Sequence, residues 1–339
     1  MFSPIQTLSL SAILTTMVTA GPRIGAHCPL GGKRWHEFLV IGHAGGDPIQ
    51  YCENTIESTY SALKHGANVI EIDLIMSQDN QIVLWHDADP RNPLSVARSL
   101  GVGVPGKCVP RTSKTPASEL LCAEILRDWH QLDRDSGRSV PVVRLDDWLH
   151  VFAQDERIHF IWFDIKVEAS NFGTFFLALE RSLQFHSVPA SKILALSLGS
   201  SDRAHIARSL MKSILPSVSG SRPSLRSSQV VEDTTSFSPW ITGHVSRFNA
   251  IPGGVASCGT SVNLGAPPIA LNRWDSIQRM TRFNVEQRNK LFHQTGNYIK
   301  IFVWTIDSEQ ELKWLLYSGV DGIITNKPGL LRGLINNKT

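Results

Sequence analysis

No part of this sequence is strongly charged in one direction. Lys and Arg number 33 against 30 Asp and Glu over 339 residues, a formal net charge of +3, and the basic residues are scattered. That excludes the clustered basic footprint of a nucleic-acid binder, though it suits an anionic small molecule. Past residue 20 no apolar run approaches the roughly 20 residues that a spanning helix needs. Cysteine is sparse: Cys28, Cys52, Cys108, Cys122 and Cys258 are the whole set, and they are not spaced as a zinc site. Short-period repeats are absent, which excludes a solenoid.

Residues 4–20, "PIQTLSLSAILTTMVTA", are uncharged and mostly apolar, and end in the small-residue site Val18-Thr19-Ala20. They resemble a secretory signal without its basic leader. Residues 1–20 are therefore expected to be a signal peptide and the protein secreted or extracytoplasmic. A frayed helix or a retained anchor is the alternative, and a chain without export would be cytoplasmic. For an exported chain Cys108 with Cys122 is the local pair expected to join; five free thiols are the alternative.

Strand-like apolar runs recur at 38–43, 69–74, 82–87, 160–166, 193–198, 267–271, 300–306 and 320–325. Amphipathic stretches such as "TIESTYSALKHG", "RLDDWLHVFAQD", "TFFLALERSL" and "SEQELKWLLYSG" lie between several of them. Runs apolar on both faces, alternating with helices, predict a parallel sheet, and eight of them predict an α/β fold of the (β/α)8 TIM-barrel type. The barrel domain is expected over residues 35–335. Two segments break the pattern: a Gly- and Pro-rich insertion over 88–140, after the third strand, and a Ser-rich surface loop over 216–238. Asn54, with Glu57 three residues on, predicts a capping box for the first helix, and Gly66 predicts its end.

The second run, "VIEIDL", carries two carboxylates where burial is expected. Alternate side chains of a strand share a face, so Glu71 and Asp73 point one way and Ile70, Ile72 and Leu74 the other. At the C-terminal mouth of a barrel strand that shared face is where active sites sit. Adjacent ionised carboxylates repel and resist desolvation, and a divalent cation relieves both. Other strand ends repeat the theme with His43, His86-Asp87 and Asp164-x-Lys166. Three hard oxygen ligands, Glu71, Asp73 and Asp164, suit Mg²⁺ or Ca²⁺. His43 and His86 suit acid-base catalysis near neutral pH, and Lys166 adds charge for a phosphoryl oxygen.

His43-Ala44-Gly45, Glu53-Asn54-Thr55, Glu71-x-Asp73, His86-Asp87 and Asp164-x-Lys166 together resemble the signature of glycerophosphodiester phosphodiesterases. "VWTID" and "GVDGIITNKP" are similar to that family's last two strands, so the resemblance spans roughly residues 38–335. It implies one divalent cation held by Glu71, Asp73 and Asp164, with His43 and His86 as the acid and base. It also implies Glu53 at the metal edge, Trp304 in the substrate wall and Asn326 beside them as substrate-binding residues. The chain departs from the pattern at Ala44, where the family has Arg; at Asp164, often Glu; and at Thr325-Asn326, usually Thr-Asp. "FDIK", "VWTID" and "GVDGIITNKP" also resemble the related sphingomyelinase D-like phospholipases D, which lack the Arg too. The expected activity is hydrolysis of glycerophosphodiesters to an alcohol and glycerol phosphate. The rivals are a phospholipase D acting on lysophospholipids or sphingolipids, through a cyclic phosphate and in peripheral contact with a membrane, and a non-catalytic binding barrel.

Overall fold

Strands apolar on both faces need cover on both, and a closed parallel sheet inside a helical layer provides it. The computed structural model describes residues 38–198, 201–215, 225, 230–231, 255–259, 273–296 and 300–337. Its described strands are β1 (Leu39–Gly42), β2 (Val69–Met76), β3 (Ile82–Leu84), β4 (Cys108–Arg111), β5 (His130–Asp133), β6 (Ser139–Pro141), β7 (Val143–Arg144), β8 (Phe160–Ile165), β9 (Ile193–Ser197), β10 (Val230–Val231), β11 (Val255–Gly259), β12 (Lys300–Trp304) and β13 (Gly322–Thr325). Eight of these run parallel in the order β10-β9-β8-β2-β1-β13-β12-β11. The end strands β10 and β11 approach each other, and the fold is the (β/α)8 barrel that the sequence predicts.

The described helices fill the intervals. They are α1 (Ile56–Lys64), α2 (Pro93–Ser99), α3 (Cys122–Asp128), α4 (Leu145–Phe152), α5 (Phe172–Phe185), α6 (Ser201–Ile214), α7 (Arg273–Thr295), α8 (Glu309–Leu315) and α9 (Pro328–Asn336). Alternation sorts the side chains as expected. Ile70, Ile72 and Leu74 of β2 join Trp148, Phe152, Phe175 and Phe176 between sheet and helices. Val69, Phe160, Trp162 and Phe302 pack inside the barrel with Leu39, Ile41 and Ile324. Each fully buried aromatic of this kind contributes about 3–5 kcal/mol against truncation to Ala.

Three strand expectations change. Only Ile82–Leu84 of the 82–87 run is strand, and it pairs antiparallel with the far end of β2 and with β7, off the barrel path. A run of three apolar residues carries no direction of its own; its partner sets that. The insertion does follow this strand in chain order, as α2, α3 and the antiparallel sheet β4-β5-β6. Within the presumed surface loop 216–238, Val230–Val231 pairs with β9 as a barrel strand, and the unpredicted Val255–Gly259 pairs with β12. The run 267–271 lies outside the described residues, as does 1–37.

Cystine pairing also differs. Cys52 and Cys108 are joined, and Cys122 is a buried thiol. The short separation of Cys108 and Cys122 counted for nothing against the fold, which lays β4 over the loop before α1. Cys122 instead packs with Ile75, Trp85, Ile125 and Trp129 in a small core beneath the insertion.

Candidate active site

The first wall of the site is a tight turn after β1. Ala44, Gly45 and Gly46 all have positive φ, at 49°, 89° and 127°. A Cβ on Gly45 would lie 2.6 Å from the Asn54 backbone nitrogen, so this close approach requires glycine. The turn delivers Ala44 N–H to Glu71 Oε2 at 2.6 Å and Gly45 N–H to the Glu71 carbonyl at 2.7 Å. Asn54 is not the helix cap. Thr55 is, its hydroxyl accepting from Ser58 N–H, while Gly66 ends the helix in the left-handed conformation as predicted. Asn54, itself at φ 56°, turns inward: its Nδ2 donates to Asp73 Oδ2 (2.8 Å) and its Oδ1 accepts from Asp73 N–H (3.1 Å).

Strand register supplies the second wall. Asp73 and Asp164 are direct cross-strand partners on β2 and β8. One oxygen each from Glu71, Asp73 and Asp164 lies within 4.8 Å of the others. Glu71 and Asp73 are only 3% and 1% exposed. Burial, reinforced by the charges of Asp73 and Asp164, raises the Glu71 carboxyl well above its ordinary range. Burial acts on Asp73 the same way, but Lys166, His86, the Asn54 hydrogen bond and His43 outweigh it, and Asp73 stays strongly acidic. Lys166 Nζ reaches Asp164 Oδ2 at 2.5 Å and Asp73 Oδ1 at 3.4 Å.

These residues fit a divalent cation. Glu71 Oε1 is buried with no hydrogen-bond partner among the described residues, an expensive arrangement unless something positive faces it. The donors are hard carboxylate oxygens, and with Lys166 the ionised group sums to two negative charges.

The two histidines are held by different partners. His43 Nδ1 lies 2.8 Å from Asn326 Oδ1, and Asn326 Nδ2 donates to Asp307 Oδ2 at 2.6 Å. Since the amide nitrogen is committed to Asp307, Asn326 Oδ1 is the acceptor and His43 Nδ1 carries the proton. Asn326, expected to bind substrate, therefore orients His43. His86 Nδ1 lies 2.8 Å from Asp87 Oδ1. Asp87 Oδ2 accepts from Arg98 Nε at 2.9 Å, and Arg98 also pairs with Glu53. Burial would raise the Asp87 carboxyl, but His86 and Arg98 bring it down to about 2. His86 follows an antiparallel strand, not a parallel one, yet it borders a cavity of about 350 Å³ with Asp164, Lys166, Leu94 and Arg203.

Glu53, expected at the metal edge, faces Arg98, and its backbone carbonyl accepts from Gln131. Trp304 lies half-buried above the barrel interior, and its Nε1 makes no hydrogen bond among the described residues. The sequence reading missed three residues: Asn54 as a holder of Asp73, Asp307 and Arg98. Asp307 closes the "VWTID" motif and was visible there. Arg98 had no such marker, because it lies in the insertion, where no periodicity guides the eye.

The family model of the glycerophosphoryl diester phosphodiesterase family matches residues 43–187, and that of dermonecrotic toxin SPH matches residues 270–339. A search of curated proteins gave no match. Solved structures with the same fold include three phosphodiesterases. A glycerophosphodiester phosphodiesterase from Thermotoga maritima has TM-score 0.54 and 16% identity, covering 88% of this chain and 99% of its own. One from Parabacteroides distasonis has TM-score 0.57 and 14% identity, covering 88% and 96%. An Oleispira antarctica phosphodiesterase in complex with the product sn-glycerol-3-phosphate has TM-score 0.57 and 16% identity, also covering 88% and 96%. At these identities the structures establish the fold. The 43–187 match is what reaches further, because it takes in both histidines and the whole carboxylate cluster: over those residues the chain is similar to the glycerophosphoryl diester phosphodiesterase family, which supports a phosphoric diester hydrolase, and over residues 270–339 it is similar to the dermonecrotic toxin SPH family.

Proposed function

We propose that the protein hydrolyses glycerophosphodiesters with a single divalent cation, Mg²⁺ or Ca²⁺, at Glu71, Asp73 and Asp164. The observation that carries this reading is the orphaned Glu71 Oε1 within a cluster of three convergent carboxylates. When bound, the cation supplies charge neutralisation at the phosphate oxygens. The remaining work falls to the chain's own residues. With Nδ1 protonated toward Asn326, His43 keeps Nε2 as a proton acceptor. It takes the proton of the attacking oxygen as the new P–O bond forms. His86, whose Nδ1 faces an ionised carboxylate, can carry a second proton with its charge balanced. It gives the Nε2 proton to the leaving alkoxide as the old P–O bond breaks. Lys166 neutralises charge at the phosphoryl group. The attacking oxygen is water or the substrate's own neighbouring hydroxyl, the latter giving a cyclic phosphate and gaining from proximity.

A second reading, cleavage of lysophospholipids or sphingolipids, has its own support. Leu94 of α2 borders the cavity while half-exposed, and Val96, Leu100 and Val102 beside it are exposed, an apolar margin that suits an acyl chain at a membrane surface. The SPH match and Ala44 point the same way. Choline release from glycerophosphocholine against lysophosphatidylcholine, with Mg²⁺ or Ca²⁺ present, separates the two. Higher kcat/KM on the first supports the lead reading and higher kcat/KM on the second overturns it. Turnover of neither, or of either with cation chelated, defeats the metal-dependent mechanism. Export is part of the proposal, and the Cys52–Cys108 bond, of a kind that persists in oxidising compartments, supports it.

A further inference from the structure

The insertion after β3 interrupts the barrel pattern, yet it sends one charged side chain into the site. Arg98, at the end of α2, is 9% exposed. Its Nε donates to Asp87 Oδ2 at 2.9 Å, its terminal nitrogens pair with Glu53 and reach the Gly103 carbonyl at 3.2 Å, and Asp87 in turn holds His86. Glu53 belongs to the loop before α1, and Cys52, its neighbour, is tied to Cys108 of the insertion. An arginine is the side chain for this place, because its planar fork serves two carboxylates at once, which an ammonium on a flexible stem cannot do.

We propose that Arg98 is a positioning residue for His86: it fixes the Asp87 carboxylate against His86 Nδ1, so that Nε2 faces the cavity. The insertion is then a structural part of the acid-base machinery. Asp87 has two oxygens to place and two partners to place them, His86 on one and Arg98 on the other. Without Arg98, Asp87 would be a buried carboxylate free to turn, and His86 would lose both its orientation and its fixed tautomer. The alternative is an anchor, in which Arg98 merely pins the insertion to the Glu53 loop.

The inference rests on the reading of His86 as a proton-transfer group, and two measurements keep them distinguishable. The first needs no substrate. Long-range ¹H–¹⁵N correlation spectra of the full ¹⁵N-labelled chain report each imidazole tautomer, and the His86 signals are those lost in His86→Asn. Wild type should show the Nδ1–H form, and Arg98→Met should show a mixture with Nε2–H. The second is kinetic: Arg98→Met should lower kcat about 10–100-fold, the scale for groups that orient a working histidine, with KM little changed. Its effect in an Asp87→Asn background should be much smaller than in wild type, since both act through one chain. Arg98→Lys keeps the charge and guards against a variant that fails to fold. It should retain the thermal midpoint better than Arg98→Met while still showing the mixed tautomer. A wild-type His86 tautomer in both variants overturns the inference, as does a kcat loss fully additive with Asp87→Asn. Tautomer mixing in a protein that turns over no phosphodiester would leave Arg98 a positioning residue and overturn the functional reading alone.

Discussion

At the scale of single residues, the two histidines differ in what stands behind them. His43 leans on an amide fixed by Asp307, and His86 on a carboxylate fixed by Arg98. On the proposed mechanism, replacing either by Asn keeps a polar group but removes a proton shuttle. Steady-state kinetics should show each change cutting kcat by about 10²–10⁴-fold. The double variant should lose less than the product of the single losses, because the groups act in one mechanism. Metal affinity by calorimetry should hardly move; its collapse would mean that the histidines are ligands. Lys166 has a different task. It sits between Asp164 and Asp73, so Lys166→Ala removes charge from the carboxylates and, on the proposed mechanism, from the phosphoryl group. The expected result is a kcat loss of about 10²–10³-fold, the cost of removing one electrostatic donor. A near-silent Lys166→Ala would mean that another cation has the role, and Arg203, bordering the same cavity, would be the next to test.

At the scale of elements, the insertion is fastened to the barrel at one place by unlike means: the Cys52–Cys108 bond, the Glu53–Arg98 pair and the Gln131–Glu53 hydrogen bond. The disulfide spans 56 residues of sequence. Cross-linking a loop of that size restricts the unfolded chain, and the usual gain is about 2–4 kcal/mol. A Cys52→Ala/Cys108→Ala variant should therefore unfold at lower denaturant, with ΔG reduced by that amount. Wild type treated with a reductant should lose at least as much. Equal denaturation midpoints with and without reductant would show that the insertion is held by its core and by the Arg98 pair alone. The same elements explain why Glu53 looked like a metal-edge residue: its position in the chain is beside the site, but its side chain is claimed by an arginine from a segment some 45 residues away.

At the scale of the whole molecule, the Glu71 carboxyl inside the barrel mouth weakens the fold when it is ionised with no cation beside it. The sign follows from Glu71. Its folded value is raised, so its favourable protonated contribution is complete below the ordinary value of 4.5 and is lost as pH rises through the folded value. A cation binds the ionised form and reverses that loss. Mg²⁺ or Ca²⁺ should raise the thermal midpoint at pH 7–8, by an amount equivalent to about 2.7 kcal/mol at 100 times Kd. The increment should shrink toward pH 4, where protons compete for the ligands. Calorimetric scans with cation and with chelator make the comparison, and identical midpoints at pH 8 would sink the metal site. Asp87 works in the opposite sense. Its depressed value gives stability that is present above the ordinary 3.8 and lost as pH falls toward about 2, so acid should loosen the insertion independently of cation.

Periodicity and residue chemistry determined much of this protein before any coordinates. Alternation along β2 placed Glu71 and Asp73 on one face, since a strand leaves no other choice, and the repeat of apolar runs and helices dictated a parallel barrel. Asp164 on β8 and Lys166 just past its end follow from the same rule, and they do converge on Asp73. What the sequence could not hold was everything fixed by partners distant in the chain. Whether Ile82–Leu84 ran parallel, whether Cys108 met Cys52 or Cys122, and whether Asn326 faced substrate or His43 depended on which surfaces packing brought together. Arg98 is the clearest case. Nothing around it distinguishes it from the other basic residues of the insertion; burial between Glu53 and Asp87 does. Local rules act over one to four residues and are legible in order, whereas the cost of burying an unpaired charge is settled only when the folded chain supplies the partner.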